Sequence, residues 1–243
     1  MLLIRNLSKK FNDGKTILSS ISVQIDQGDF IAIIGKSGSG KTTLLDCLTF
    51  KETWDQGQYI YNNIDLLTSN AFVKWKIRRQ WVYLSLTPPV NESRTALQNV
   101  LTSYLLKTAP WKMLLGGRGS DEDHMKAMDY LQMVGLLDKA NIQVGKMSGG
   151  EKQRVGLAKL LVREPKIIFA DDPTLGLDPT SAQRVLLDLQ SISLQQRVTV
   201  ICTMNNLEFA QKYASRIWGL SDNKIKVDVS GRRLTTEETL QIL

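Results

Sequence analysis

Short, continuous apolar runs alternate along this chain with segments whose apolar residues recur at helical spacing. At the start, residues 1–7 and 17–26 read as two β segments, with Asn12-Asp13-Gly14 as the turn between them. Phe30-Ile31-Ala32-Ile33-Ile34 has no polar alternation, which predicts a strand buried on both faces, and a helix is expected from Lys41. Residues 81–86, 166–170 and 198–203 predict further buried strands. Between about residue 87 and residue 150 the strand signal disappears. Residues 95–106 and 121–134 carry apolar positions at helical spacing, with Asp121-Glu122-Asp123 favourably placed at a helix N-terminus. Gly116-Gly117-Arg118-Gly119 breaks the chain between them. The pattern is an α/β core interrupted by a helical insertion, with the core resuming near residue 151. Thr235-Thr236-Glu237-Glu238 is a capping-box pattern that opens a last short helix.

Composition narrows this picture only modestly. A length of 243 residues fits one large α/β domain, or a core with an inserted subdomain. An apolar content of 42% supports a sizeable core, and no run approaches the roughly 20 apolar residues that span a bilayer. The apolar stretch at the N-terminus is too short for a signal peptide and its charge, Arg5, follows it, so no leader is expected. Cys47 and Cys202 each sit in apolar segments and read as structural thiols in a reducing compartment. The net charge of +7 is spread out, with no basic cluster longer than Lys9-Lys10 or Arg78-Arg79. It fits work beside an anionic leaflet better than nucleic-acid binding.

The strongest chemical signal is Gly35-Lys36-Ser37-Gly38-Ser39-Gly40-Lys41-Thr42, which fits G-x-x-x-x-G-K-[ST] between a buried strand and a helix. Its glycines let backbone N–H groups converge on phosphate oxygens, and the helix N-terminus adds its positive end at the same point. Lys41 supplies an ammonium for the β- and γ-phosphates of ATP, and the Thr42 hydroxyl can ligand Mg²⁺. Thr43 is counted with the nucleotide-binding positions. A second signal is Asp171-Asp172, at the C-terminal end of a predicted strand, where open α/β sheets bind ligands. Asp171 can hold Mg²⁺, and Asp172 can orient the attacking water.

Met147-Ser148-Gly149-Gly150-Glu151-Lys152-Gln153-Arg154 resembles the LSGGQ signature of the ABC ATPases, and the resemblance runs the length of the chain. It implies a P-loop NTPase fold with an N-terminal antiparallel β subdomain. Residues 1–86 and 151–243 would form the nucleotide-binding core, and residues 87–150 the helical insertion ending in the signature. Asp171-Asp172-Pro173-Thr174 is similar to the family's D-E-P-T, Leu175-Gly176-Leu177-Asp178 to its D-loop, and Phe11 stands where its adenine-stacking aromatic lies. In such proteins two subunits sandwich two ATP molecules. The resemblance therefore implies that Ser148, Gly149, Gly150 and Glu151 bind ATP held by a partner chain. Longer blocks resemble the phosphonate-importer ATPases: Trp111-Lys112-Met113-Leu114-Leu115-Gly116, Gly135-Leu136-Leu137-Asp138-Lys139-Ala140, Asp178-Pro179-Thr180-Ser181-Ala182 and Tyr213-Ala214-Ser215-Arg216-Ile217-Trp218-Gly219-Leu220. The implied partners are transmembrane permease subunits, a second ATP-binding subunit and, indirectly, a substrate-binding protein. The implied place is the cytoplasmic face of the inner membrane.

Three positions depart from the family pattern. Leu86 stands where the Q-loop glutamine belongs, Asp172 where the catalytic glutamate belongs, and Asn205 where the switch histidine belongs. Leu86 offers no oxygen to a metal. Asp172 is one methylene short, and Asn205 cannot become cationic. Slow hydrolysis by Asp172 and Asn205 is the expectation, with a hydrolysis-poor regulatory or structural subunit paired to an intact ATPase as the alternative. The one histidine, His124, reads as an exposed helix residue, and the tryptophans as core or membrane-subunit contacts.

Overall fold

The computed structural model describes residues 1–11, 14–109 and 119–243. The turn at Asn12-Asp13, the chain break at Gly116-Gly117-Arg118 and the block containing Trp111 lie outside the described residues. The chain divides into two compact units, one of residues 1–81, 166–172 and 190–243, the other of residues 82–165 and 173–189.

The first unit holds two sheets. One is antiparallel, in the order β2-β1-β4-β5, from β1 (Leu2–Lys10), β2 (Thr16–Ile25), β4 (Gln56–Tyr61) and β5 (Ile64–Asp65). The register Leu2↔Ile25 and Leu2↔Tyr61 stacks buried side chains on one face. The second sheet brings together β3 (Phe30–Ile34), β7 (Ile167–Asp171), β8 (Thr199–Thr203), β9 (Arg216–Ser221) and β10 (Lys224–Ser230). Here β7–β8, β8–β3 and β3–β9 are parallel, while β10 returns antiparallel to β9. All five residues of β3, an unbroken apolar run, and all five of β8, apolar between Thr199 and Thr203, are buried. Helix α1 (Lys41–Leu48) follows β3, and α2 (Ala71–Arg78), α7 (Leu207–Tyr213) and α8 (Thr236–Ile242) belong to the same unit. Trp81 is the hub of an aromatic cluster, edge-on to Tyr61 at 5.6 Å and to Phe169 at 5.7 Å. Trp54, Trp81 and Trp218 are core residues, whereas Trp75 is half-exposed and stacks on Phe72 at 5.9 Å. Both cysteines are buried, and burial pushes the Cys47 thiol up to about 12, which keeps it inert.

The second unit is helical after β6 (Trp81–Leu84), which begins at its boundary. It contains α3 (Ala96–Thr108), α4 (Asp121–Met133), α5 (Gly149–Leu161) and the start of α6 (Pro179–Gln196). Three of these helices open on reciprocal capping boxes: Thr95 with Gln98, Ser120 with Asp123, and Ser148 with Glu151. Each box satisfies two backbone donors that a helix start otherwise leaves unpaired. His124 is half-buried rather than exposed, because its Nδ1 lies 2.9 Å from the Ser120 carbonyl one turn back. The predicted strand over residues 81–86 ends early, at Leu84, and Leu86 sits in the following loop. No helix among the described residues is long and apolar enough to cross a membrane.

The signature helix α5 is pinned by a buried ion pair. Arg154 Nε donates to Asp188 Oδ2 of α6 at 2.7 Å, and its Nη2 also donates to the Val134 carbonyl. Burial pushes Asp188 up to about 6 despite the guanidinium beside it. Removing one partner of such a pair leaves a buried charge without compensation. Arg154→Met is therefore expected to lower the unfolding free energy by about 3 kcal/mol, read from chemical denaturation. Adding Asp188→Leu should recover part of the loss. A single variant as stable as the parent would contradict the assignment.

Candidate functional site

The phosphate loop spans the gap between the end of β3 at Ile34 and the start of α1 at Lys41. Only glycine fits at Gly35, where an added Cβ would lie 2.2 Å from the Leu220 carbonyl oxygen. Gly40 takes φ +99° as the N-cap residue, and this turns the chain so that the free N–H groups of α1 face the loop. Lys41 is only 7% exposed, and its Nζ folds back to donate to the carbonyls of Gly35 at 2.8 Å and Lys36 at 3.2 Å. Burial pulls its pKa down, while the charges of Asp172 and Asp171 push it back up. The Ser39 hydroxyl is buried with no hydrogen-bond partner in the protein. Lys36, Ser37 and Gly38 are exposed, Ser39 and Thr43 half-buried. A buried ammonium, an unpaired buried hydroxyl and a row of free N–H groups make a cradle for phosphate oxygens.

The carboxylates reach the same loop from the neighbouring strands. Asp171 ends β7, and its Oδ1 receives the Thr42 hydroxyl at 3.3 Å and the Thr203 hydroxyl at 2.7 Å. Asp172 follows in a left-handed conformation, φ +42°, with its N–H donating to Thr203 Oγ1 at 2.8 Å. Asn205, just past β8, donates from Nδ2 to Asp172 Oδ2 at 3.1 Å. Burial and the adjacent Asp171 hold Asp172 above the usual carboxylate range, against the pull of Lys41 and Asn205. No group of three or more His, Cys, Asp or Glu side chains that could hold a metal ion occurs among the described residues. Thr42 and Asp171, in hydrogen-bond contact, are the residues that could hold a Mg²⁺ ion with oxygen ligands. Phe11 is 54% exposed, its backbone N–H donating to the Lys15 carbonyl at 2.9 Å, and its ring is open for stacking. The structure thus gathers Lys41, Thr42, Asp171, Asp172 and Asn205 in one place.

The second unit carries the signature residues. Ser148 caps α5, is exposed, and accepts the Glu151 N–H at 3.3 Å. Gly150 lies so close to α6 that an added Cβ would come within 2.6 Å of the Ser181 Cβ. Glu151 is committed on both sides: Oε2 accepts the Ser148 N–H at 3.0 Å and Oε1 pairs with Lys139 Nζ. The Lys139 contact is the largest reason that its pKa lies below the usual value. The extra charge of Glu151 is thereby compensated within its own unit. Leu86 is 46% exposed, and its carbonyl, like that of Ser85, receives Gln153 Nε2 from the signature helix. Sequence reasoning missed Lys139, Gln153 and Thr203. The last of these left a trace, a polar residue closing a strand with an apolar interior.

The ABC transporter family profile matches residues 18–175. The phosphonates import ATP-binding protein PhnC of Lactococcus lactis subsp. cremoris is 35% identical over 98% of this chain and 96% of its own length. The protein of the same name from Halalkalibacterium halodurans is 32% identical over 98% of this chain and 92% of its own length. Among solved structures, a dimeric ATP-binding cassette in a post-hydrolysis state with ADP and Pi shares the fold at a TM-score of 0.77. It is 27% identical and covers 96% of this chain and 100% of its own. A cassette from Clostridium perfringens, at 22% identity, repeats the fold with a TM-score of 0.81, covering 94% of this chain and 88% of its own. On the profile and on relatives above 30% identity along nearly its whole length, this chain belongs to the ABC transporter family of ATP-binding proteins.

Proposed function

We propose that this chain is the ATP-binding subunit of an importer for phosphonate or a related phosphorus oxyanion, and that it holds ATP with Mg²⁺ more readily than it cleaves it. The observation that carries the proposal is the contrast within the site. Lys41, the unpaired Ser39 hydroxyl and the Thr42–Asp171 contact are arranged to receive a triphosphate and its metal. The positions that would act on the γ-phosphate are instead filled by Asp172 and Asn205, and the Q-loop position by Leu86, which has no polar side-chain atom. The substrate class is carried over from the printed names of the relatives, since selectivity rests with other subunits.

ATP would supply the binding energy that closes two such chains on one another and the phosphoanhydride whose cleavage reopens them. Phe11 would stack on the base, residues 35–43 would hold the phosphates, and Ser148, Gly149, Gly150 and Glu151 would face the γ-phosphate bound to the partner. Asp172 would orient the attacking water, but its carboxylate falls one methylene short of a glutamate, and a misplacement of about 1 Å can cost on the order of 100-fold in rate. Asn205 already spends a donor on Asp172 and stays neutral, so it lends the γ-phosphate no positive charge. The chain would work at the cytoplasmic face of the membrane with permease subunits, a second ATP-binding chain and, indirectly, a substrate-binding protein. Residues 87–150, ending in the signature, form the helical insertion in this reading. An ATP-holding subunit that depends on an intact partner for hydrolysis is the second reading, and Leu86 favours it.

Lys41→Ala should weaken ATP binding by at least about tenfold, since it removes a charge-assisted phosphate contact; unchanged affinity in a nucleotide-displacement titration would sink the assignment. Leu86→Gln, Asp172→Glu and Asn205→His together should raise phosphate release by about 100-fold. No gain would place the loss in the scaffold and not in these side chains. A mixed dimer with an intact ATP-binding chain should hydrolyse ATP faster than this chain alone, and equal rates would count against the second reading.

A further inference from the structure

The Thr203 hydroxyl ties the carboxylate of Asp171 to the backbone of Asp172. Thr203 is the last residue of β8, is completely buried, and sits directly across the parallel pairing from Asp171. Its Oγ1 donates to Asp171 Oδ1 at 2.7 Å and accepts from the Asp172 N–H at 2.8 Å. A hydroxyl has one proton and two lone pairs, so these contacts use it consistently. The amide has only a proton to give, so the hydroxyl proton must go to Asp171.

Both contacts have consequences. Asp171 Oδ1 also takes the Thr42 hydroxyl, so a fixed orientation of this carboxylate fixes the spacing of the two groups that would share a metal. A metal ligand held in place by an outer hydrogen bond commonly loses about 10- to 100-fold in metal affinity when that bond is removed. Asp172 is held at φ +42°, a left-handed conformation that most residues with a Cβ disfavour. From that backbone its side chain meets Asn205 at 3.1 Å.

We infer that Thr203 is the positioning residue of the nucleotide site: one buried hydroxyl orients the Asp171 carboxylate toward Mg²⁺ and holds the Asp172 backbone in the conformation that directs its carboxylate to Asn205. The metal half of this inference rests on the ATP-binding function proposed above; the backbone half does not. Thr203 touches no reacting atom and acts through its two neighbours.

The test compares Thr203→Val, nearly isosteric but without the hydroxyl, with Thr203→Ser, which restores it. Thr199→Val is the control for loss of a buried hydroxyl on the same strand, since Thr199 Oγ1 bonds to Gly28 N–H at 3.1 Å and to the Asp26 carbonyl at 3.2 Å, away from the carboxylates. ATP affinity is measured with excess EDTA and with saturating Mg²⁺, and amide hydrogen exchange is followed at Asp172 without nucleotide. In Thr203→Val the Mg²⁺-dependent gain in affinity should fall about 10- to 100-fold, while affinity in EDTA stays nearly unchanged. Exchange at Asp172 should accelerate in Thr203→Val alone. Thr203→Ser and Thr199→Val should behave as the parent in both measurements. A full Mg²⁺-dependent gain in Thr203→Val, an equal loss with and without Mg²⁺, or unaltered exchange at Asp172 would overturn the inference. Failure of the unmodified chain to bind ATP at all would instead refute the proposed function, and the exchange comparison would still decide the backbone role.

Discussion

The parallel registration of β3, β8 and β7 is the constraint on which the rest of the nucleotide site depends. Ile33 pairs with Thr203, and Thr203 pairs with Asp171, so one row across three strands brings the three chain segments to a common edge. The loop from Gly35 to Lys41, the Asp171-Asp172 pair and Asn205 all leave the sheet there. Every residue of β3 and β8 is buried, so a slip along either strand would break close packing on both of its faces. The hydrophobic pattern thus fixes the position of the chemistry. The buried hydroxyl of Thr203, placed within that row, then bonds to the Asp171 carboxylate and the Asp172 backbone N–H.

Charge in the site is organised for a guest. Lys41 is buried, and burial alone would favour its neutral form; the carboxylates of Asp171 and Asp172 keep the ammonium favourable. Its hydrogens are held by the Gly35 and Lys36 carbonyls, contacts that phosphate oxygens can replace with stronger, charge-assisted ones. In the other unit the charge of Glu151 is likewise paired, with Lys139. Beside Asp172 stands Asn205, a neutral donor.

Much of this was legible in the sequence, for a physical reason. Strands such as Phe30–Ile34 announce themselves because burial on both faces forces an unbroken apolar run, and the glycine spacing of residues 35–42 has few uses besides cradling phosphate. The capping box at Thr235 was legible because it follows from local side-chain reach, whereas those at Thr95, Ser120 and Ser148 went unread. Elements that owe their state to tertiary contacts were silent. β4 opens on the exposed polar residues Gln56-Gly57-Gln58 and is a strand because β1 pairs with it. β10 alternates polar and apolar residues over a short span and is defined by its pairing with β9. The partners of Glu151 and of the Leu86 carbonyl, Lys139 and Gln153, are 12 and 67 positions away in sequence, and only the folded chain reveals them. Thr203 was passed over because a threonine at a strand end has an ordinary structural explanation.

The balance between holding and cleaving ATP is tested most directly by following dimer mass and phosphate release together after adding MgATP to the unmodified chain. The arrangement of Lys41, Thr42 and Asp171 beside a short Asp172 and a neutral Asn205 predicts an ATP-dependent dimer that persists while little phosphate appears. Rapid phosphate release with a short-lived dimer, or no nucleotide-dependent dimer at all, would contradict it.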